Sequence, residues 1–372
     1  MKSKHIYKSI ACGVLLALTA TSCDLDYNPV DSYSDVTEGV DKTDEKPIFN
    51  SVQDVETSMV TLHKKFRDQQ EHWYVDKLLI GDAHSDNAYA GTTGAEVVPY
   101  ETNSIEGSNS VLKRDWDRFL GDIAEANRII VGCEQLKALS DSERGKYQSQ
   151  AKIFRAMVMF DMVRLWGNFP VITTVGGDIT EDNVEEMYPT YFPPQNTAEE
   201  AYAQIEKDLT EAVENPSTPT NDASDKSILT KSVARAMLAK VYAEKPLRDY
   251  AKVIKYADEL AADGFDLVED FSDLWAYDTE KKDCRVRNTK EAILEAHFPP
   301  GSGNWCTWMF GRNLSNWDES FTWAKWITPS RDLIRLYEEQ GDTKRYNESV
   351  VWYECGWSNY YPADHYAFMY KC

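Results

Sequence analysis

The sequence predicts a mostly α-helical (all-α) protein with at most a few short strands. Two S/T-x-x-E boxes, Ser140 with Glu143 and Thr197 with Glu200, mark helix starts. In such a box each side chain satisfies a backbone N–H that the first turn leaves without a partner. From Ser51 onward the apolar residues Val52, Val55, Met59, Leu62 and Phe66 recur at alternating three- and four-residue steps, the period of one helix face. Between Ile153 and Leu165 apolar side chains point in every direction and leave no solvent face, which predicts a helix buried inside a helical domain.

Taken in order, the chain opens on a targeting segment. Lys2, Lys4 and Lys8 form a basic start, Ile10 to Ala20 an apolar core too short to span a bilayer, and Ala20-Thr21-Ser22-Cys23 a small-residue cleavage site. This looks like a bacterial lipoprotein signal over residues 1–22, with Cys23 as the lipidated residue. Ala20 stands where a Leu is usual, and ordinary secretory cleavage is the alternative. Residues 23–47 are acidic, Ser/Thr/Asp-rich and poor in apolar side chains, which reads as a tether. A single domain is expected over residues 48–372. Its helical scaffold covers about 48–80, 111–262 and 328–340, and its irregular loops about 81–110 and 299–328. No run after the signal is long and apolar enough to cross a membrane, so the mature protein would be anchored by its N-terminal lipid.

The first irregular stretch, Gly81 to Ser110, is rich in Gly, Thr, Ser and Asn, which argue against a regular element. A loop of that length is usually functional or mobile. Helix returns with Trp116, Phe119, Ile123, Ala126, Asn127 and Ile130. The central helix follows, starting at Ser140 and stopping near Trp166, where Gly167 can adopt a left-handed conformation and Pro170 cannot extend the ladder. Its charges, Lys152, Arg155, Asp161 and Arg164, fall on four sides and are expected to be paired internally. After Thr197 the stripe Ala201, Tyr202, Ile205, Leu209 and Ala212 runs to a stop at Asn215-Pro216. Two amphipathic helices, Ser232 to Lys245 and Leu247 to Ala262, are expected on either side of Pro246, which suits the first turn of the second. Glu291 to Phe298 is ambiguous between a short helix and a strand. Thr328-Pro329 is expected to cap a helix carrying Leu333, Ile334, Leu336 and Tyr337.

Several of these stretches together resemble the SusD/RagB family of outer-membrane nutrient-binding lipoproteins. Phe154-Arg155-Ala156 matches its F-x-R-A, Phe160 to Arg164 its aromatic-D-L-V-R, and Trp166 to Pro170 its W/Y-G-x-x-P exit. Trp116, Phe119, Ile123, Ala126 and Asn127 match its W-x-x-aromatic-x-x-x-I-x-x-A-N segment, and Gly341-Asp342 through Arg345 its G-D-x-R turn. Leu238, Ala239, Tyr242 and Asp249-Tyr250 fall as in a tetratricopeptide repeat. The resemblance implies a SusD-like fold of tetratricopeptide-like helix pairs with a looped, ligand-facing subdomain. The family's later motif, rich in Ala, Glu and Leu, is missing, which reads as a C-terminal truncation.

Composition limits the function. The chain of 372 residues carries a formal net charge of −22, which repels phosphate backbones, so no nucleic-acid partner is expected. Cys133, Cys284, Cys306, Cys355 and Cys372 fit no C-x-x-C metal site, and their pairing stays open. There is no H-E-x-x-H, G-x-S-x-G, P-loop or Rossmann glycine pattern, so no enzyme activity, catalytic residue or cofactor is expected. Asp82, Asp86 and Asn87 hint at an oxygen-rich cation site but lack the spacing of a calcium loop, so no metal is assigned.

Neutral sugars present C–H patches that lie on aromatic rings and hydroxyls that need fixed donors and acceptors. Both irregular stretches supply these groups. Trp73, Asp86, Asn87 and Tyr89 come from the first, with His72 and His84 nearby; Trp305, Trp308, Trp317 and Trp323 come from the second, five of the chain's 11 tryptophans lying between Asn304 and Thr328. Any one of these tryptophans can equally be a core residue, and Trp116 and Trp166 are placed in the core because they ride regular helices. The resemblance implies a cell-surface lipoprotein of a Gram-negative outer membrane that captures oligosaccharide or polysaccharide and delivers it to a SusC-like TonB-dependent transporter. The alternatives are a protein-binding scaffold or transporter lid with no sugar affinity, and an α-helical glycoside hydrolase.

Overall fold

A computed structural model of the chain describes residues 47–90, 95–177, 179, 183–274, 277–278, 280–281, 283–299, 327–353 and 366–369. The signal, Cys23 and the tether lie outside the described residues. Helices dominate. α1 (Val52–Asp68) starts at Ser51, whose side chain caps Asp54 N while Asp54 answers to Ser51 N, and it buries Val55, Met59 and Leu62 as the spacing predicts. α2 is a continuous run of a π-helical turn (Glu71–Val75), a short α-turn (Asp76–Leu78) and a second π-turn (Leu79–Ala83). β1 (Ala88–Ala90) and α3 (Val98–Glu101) then break the stretch expected to be irregular.

α4 (Ser110–Gln135) is capped by Asn109, whose side chain accepts from Val111 N and Leu112 N. α5 (Asp141–Trp166) carries the predicted Ser140/Glu143 box and ends at Gly167, where φ is +73°. The exit is clamped by Asn196, which donates its N–H to Phe169 O at 3.0 Å and accepts from Val171 N at 2.9 Å. α6 (Val184–Tyr191) is an additional short helix with Pro189 inside it. α7 (Ala198–Glu214) follows the Thr197/Glu200 box and stops at Asn215.

α8 (Lys231–Ala243) and α9 (Tyr250–Ala262) form an adjacent pair. Pro246 is not in the first turn of α9. Asp249 caps that helix instead, accepting from Lys252 N at 3.2 Å, and Arg248 takes the turn at φ +45°. Residues 291–298 are neither helix nor strand; they follow an irregular path pinned by Glu295 N to Lys226 O at 2.9 Å. After β2 (Tyr277–Asp278) and β3 (Asp283–Cys284), the chain continues through β4 (Ile327–Pro329), α10 (Arg331–Gln340) and α11 (Thr343–Ser349), then β5 (Val350–Tyr353) and β6 (Tyr366–Met369). Thr328-Pro329 is therefore strand, and the cap of α10 is Ser330. The G-D-x-R turn has a simple physical basis: Gly341 takes the left-handed conformation at φ +65°, and Asp342 caps α11 while pairing with Arg345.

α5 is the centre of the packing, lying along α4 on one side and α7 on the other. From Ser149 to Val163 it has no solvent face, as expected, but its first turns are exposed and Arg164 reaches outward. Its four charges each find a different partner: Lys152 with Glu211, Arg155 with Asp208, Asp161 with Lys77 and Arg164 with Glu244, at 2.5–3.0 Å. Arg155 is 3% exposed and makes a bidentate pair with Asp208 at 2.7 and 2.8 Å. Its third nitrogen donates to Asn127 Oδ1 at 2.6 Å, and the Asn127 amide donates onward to Ile172 O and Thr174 O. Bidentate geometry is the arrangement in which a buried ion pair best offsets its desolvation. Trp116 and Trp166 pack edge to face at 5.2 Å against this core. Gly132 lets the start of the domain close down on α4, since a Cβ there would come within 2.3 Å of the Phe49 ring.

A second, smaller core of Val75, Leu79, Ala83, Ala88, Ala90, Val97, Tyr100, Val111 and Ile327 lies under the β1·β4 ribbon. Among the described residues no helix is long and apolar enough to cross a membrane. Cys133 (buried) and Cys284 (exposed) are free thiols.

Candidate functional site

The β1·β4 ribbon is where the two irregular stretches meet. Ala88 pairs with Pro329, Tyr89 with Thr328 and Ala90 with Ile327, so the end of the segment following Pro299 returns beside the first loop. The two-residue period of a strand turns Ala88 and Ala90 inward to the small core and Tyr89 outward. Tyr89 is half-buried, while Asp86 and Asn87, just before it, are exposed.

Their backbone is held by the start of α10. Ser330 N donates to Asn87 O at 2.9 Å, Ser330 Oγ donates to Asp86 O at 2.5 Å, and Arg331 N donates to Tyr89 Oη at 3.2 Å. On the other side Ala90 N donates to Glu101 Oε2 at 2.8 Å, and His84 Nε2 bonds Asn103 Oδ1 at 2.5 Å. Burial pushes the Asp82 carboxyl up from its ordinary value, opposed by a hydrogen bond from Asn87. Asp86, Asn87 and Tyr89 are thus presented together on a pinned ribbon, with an aromatic ring next to an amide and a carboxylate. Such a set can accept and donate hydrogen bonds to hydroxyls beside a ring face.

Ser330 and Arg331 are the residues that sequence reasoning missed. The signal was present in Ser330 followed by Asp332, a capping serine with an acidic first turn, but Thr328-Pro329 drew the cap two residues early.

Trp73 does not join this group. It is 3% exposed, its Nε1 donates to Asp122 Oδ2 at 3.1 Å, and its ring packs edge-on against Phe66 at 5.1 Å and tilted on Phe154 at 5.4 Å. The α2 run carries it inward because a buried indole N–H needs an acceptor, and Asp122 supplies one. His72, fully buried, bonds the same carboxylate at 2.9 Å, and Lys65 completes the set at 3.1 Å. Trp73 is therefore a core anchor, not a stacking platform. Trp305, Trp308, Trp317 and Trp323 lie outside the described residues. Among the described residues no group of three or more His, Cys, Asp and Glu is placed to hold a metal.

Beneath the ribbon, α2 and α4 bring two carboxylates together out of water. Asp76 is fully buried and Asp115 is 1% exposed. Arg114 pairs with Asp76 and stands 3.7 Å from Asp115, and Arg118 pairs with Glu71 at 2.7 Å. Burial, reinforced by the Asp76 charge, pushes the Asp115 carboxyl up to about 9. Asp115 thus carries a proton at neutral pH and donates it to Asp76 in a hydrogen bond. The Tyr100 hydroxyl, on α3, is raised by the same burial and by both carboxylates.

Residues 31–243, more than half of the chain, match the family model SusD-like_3, described as starch-binding and associating with the outer membrane. The chain belongs to this SusD-like family. A SusD-like protein of Bacteroides ovatus is 26% identical over 318 residues, covering 82% of this chain and 51% of that protein, so the chain spans about half the length of the curated relative it matches. Among solved structures, a SusD superfamily protein of Bacteroides thetaiotaomicron is similar with a TM-score of 0.66 and 19% identity, over 85% of this chain and 69% of that one. A laminarin-binding SusD-like protein is similar with a TM-score of 0.62 and 17% identity, over 87% of this chain and 72% of that one. At those identities the structures bear on the SusD-like fold alone. In this SusD-like chain the motifs that carry the resemblance are structural: Asn127 and Arg155 close one buried network, and Gly167 turns the exit of α5.

Proposed function

We propose that this SusD-like protein binds glycan at the surface formed by Asp86, Asn87, Tyr89 and the tryptophan-rich segment, and hands oligosaccharide to a SusC-like TonB-dependent transporter. The carrying observation is the ribbon itself: it fixes an outward aromatic and two polar side chains beside the point where the segment containing Trp305, Trp308, Trp317 and Trp323 rejoins the fold. The family's starch-binding description and the laminarin-binding relative of similar fold support a sugar as the ligand. The mechanism is capture without bond breaking, through ring stacking and a few hydrogen bonds, at micromolar to millimolar affinity. A lipid on Cys23 would hold the protein at the outer membrane, facing outward, where polymer arrives.

Retention of the purified protein in gels containing starch, laminarin and other neutral polysaccharides tests this reading. Retardation by at least one polymer is expected, reduced by Tyr89→Ala, Asn87→Ala, Trp317→Ala and Trp323→Ala with thermal stability unchanged. A protein retarded by none of them, or variants indistinguishable from the parent, would sink the glycan assignment. Co-purification from membranes tests the transporter separately: a TonB-dependent barrel should accompany the protein, and Cys23→Ser should release it from the membrane fraction.

A further inference from the structure

α1 has a second stripe. Val55, Met59 and Leu62 face the core, but Val60, His63, Lys64 and Arg67, at steps of three, one and three, face a cleft of about 250 Å³. Phe66 contributes to the same wall, its ring fixed edge-on against Trp73 and Tyr74. The opposite wall is Ser227 and Glu295 to His297, residues more than 150 positions further along the chain.

That wall is built rather than loose. Asn288 adopts a left-handed conformation, φ +55°, and from there staples two segments together. Its side chain accepts from Lys226 N at 2.9 Å and donates to Ser224 O at 2.7 Å, while its N–H donates to Glu295 Oε2 at 3.1 Å. Glu295 N donates to Lys226 O, and His297 Nε2 bonds Glu295 Oε2 at 2.9 Å. Asparagine is the non-glycine residue that best tolerates such a φ, and held strain of this kind marks a position whose shape is fixed by its surroundings.

The chemistry of the lining is mixed. Lys64 and Arg67 bring positive charge, and Glu295, Asp68 and Asp225 bring negative charge close by. Most of these are already engaged: Arg67 with Asp68, Glu295 with His297, and Asp225 with Ser227. Lys64 has no ion pair among the described residues. Burial lowers the proton affinity of the His63 imidazole and so favours the neutral ring, opposed by a hydrogen bond with Gln150 and by the Asp225 charge; with one ring nitrogen engaged by Gln150, the other is left for a ligand. Near-balanced charge disfavours a strongly anionic or cationic ligand. Paired donors and acceptors over an apolar floor of Phe66, Val60 and Ala296 match a ring with hydroxyls on its edge and C–H on its face. The volume lies below the ~300–1,000 Å³ of sites for drug-sized ligands, which sets the size at one ring.

We propose that this cleft is a second ligand site, separate from the β1·β4 ribbon, which takes a single neutral pyranose or a polyol of that size. None of its residues belongs to the ribbon, so it stands whether or not the ribbon binds glycan.

The test is imidazole NMR of the intact domain, with assigned His63 and His297, titrated with methyl glucoside, methyl galactoside and glucuronate to roughly 100 mM, a range that covers millimolar affinity. Saturable shifts of both imidazoles with a neutral glycoside are expected. Affinity should fall about fivefold in His63→Ala and again in Glu295→Gln, the loss of about one hydrogen bond each, and stay unchanged in Tyr89→Ala. Absence of saturable shifts with either neutral glycoside would overturn the proposal. So would tighter binding of glucuronate that disappears in Lys64→Ala, which would make the cleft an anion site, or neutral-glycoside affinity unaffected by both His63→Ala and Glu295→Gln. Polysaccharide retention that depends on Tyr89 but not on His63 keeps the two sites' outcomes apart.

Discussion

The two buried charge networks that α4 joins, one with α5 and α7 and one with α2, are held in different ways. Around Arg155, fixed charges meet fixed partners: Asp208 takes two guanidinium bonds and a third from Gln204 at 2.9 Å, and Asn127 takes the remaining guanidinium bond. No side-chain nitrogen or oxygen of these four residues is left buried without a partner. Under the ribbon, one oxygen of Asp76, one of Asp115 and Nε of Arg114 find no N–H, O–H or acceptor in ordinary geometry. The two carboxylates are reconciled by the proton on Asp115 and by the Arg114 guanidinium beside both. The scaffold is therefore locked by pairs whose buried polar atoms are all met, while the support of the candidate ligand surface rests on a carboxyl that keeps its proton up to about pH 9. Rigid beam and adjustable seat are different uses of the same residue types.

Breaking the locked network should have the largest effect. Arg155→Met leaves Asp208 buried without its ion partner and is expected to destabilise the domain by about 3–5 kcal/mol, read by urea unfolding. Adding Asp208→Leu should restore most of that. A single-variant loss below about 1 kcal/mol would show that water relieves Asp208 and that the network is not locked.

The proton-dependent network should respond to pH instead. Asp115 has a folded-state affinity for its proton well above that of an unfolded carboxyl near 4, so its contribution is most favourable below that value and is lost as pH rises through about 9. Thermal stability should decline across that window, by at most about 1.4 kcal/mol per pH unit from this group. Asp115→Asn, which keeps a donor without the titration, should flatten the decline. Parallel curves for parent and variant would remove the shared proton from the account.

Smaller effects separate the two aromatic roles. Trp73→Phe keeps the ring but strips a donor from Asp122, for an expected loss of about 1–2 kcal/mol, whereas Tyr89→Ala should change stability by less than about 0.5 kcal/mol and show its effect only in glycan retention. Ser330→Ala should cost about 1 kcal/mol, from the loss of a helix cap and a tie to Asp86. Faster amide exchange confined to residues 86–90 and 327–333 would localise it to the ribbon.

Much of the scaffold was legible because its signals are local. Capping boxes, glycine exits and three-four spacing act within one turn, so Ser140, Thr197 and Gly167 define their helices without knowledge of anything distant. The charges of α5 were legible as a class, since burial obliges pairing, but not as pairs, because Glu211, Asp208, Lys77 and Glu244 come from elsewhere in the chain. Trp73 was misplaced for a related reason. Its partner Asp122 lies 49 residues away, and the π-turns around it carry no sequence signal as strong as a cap. Composition marked the two stretches only as loops, and their pairing into a ribbon depended on contacts that no local rule could supply, although the cap at Ser330 had a local signal.

The β1·β4 ribbon also implies an order of assembly. The Ser330–Asp86 bond closes a loop of 244 residues. Each doubling of a loop adds roughly 0.6 kcal/mol of closure entropy, so this one costs about 3–4 kcal/mol more than a tight hairpin. Two three-residue strands cannot offset that alone, and the helices must first bring their ends within reach. The ribbon should thus form among the last structures in refolding and open among the first on the way out, making the exchange of its amides a sensitive gauge of whether the helical scaffold behind it is fully assembled.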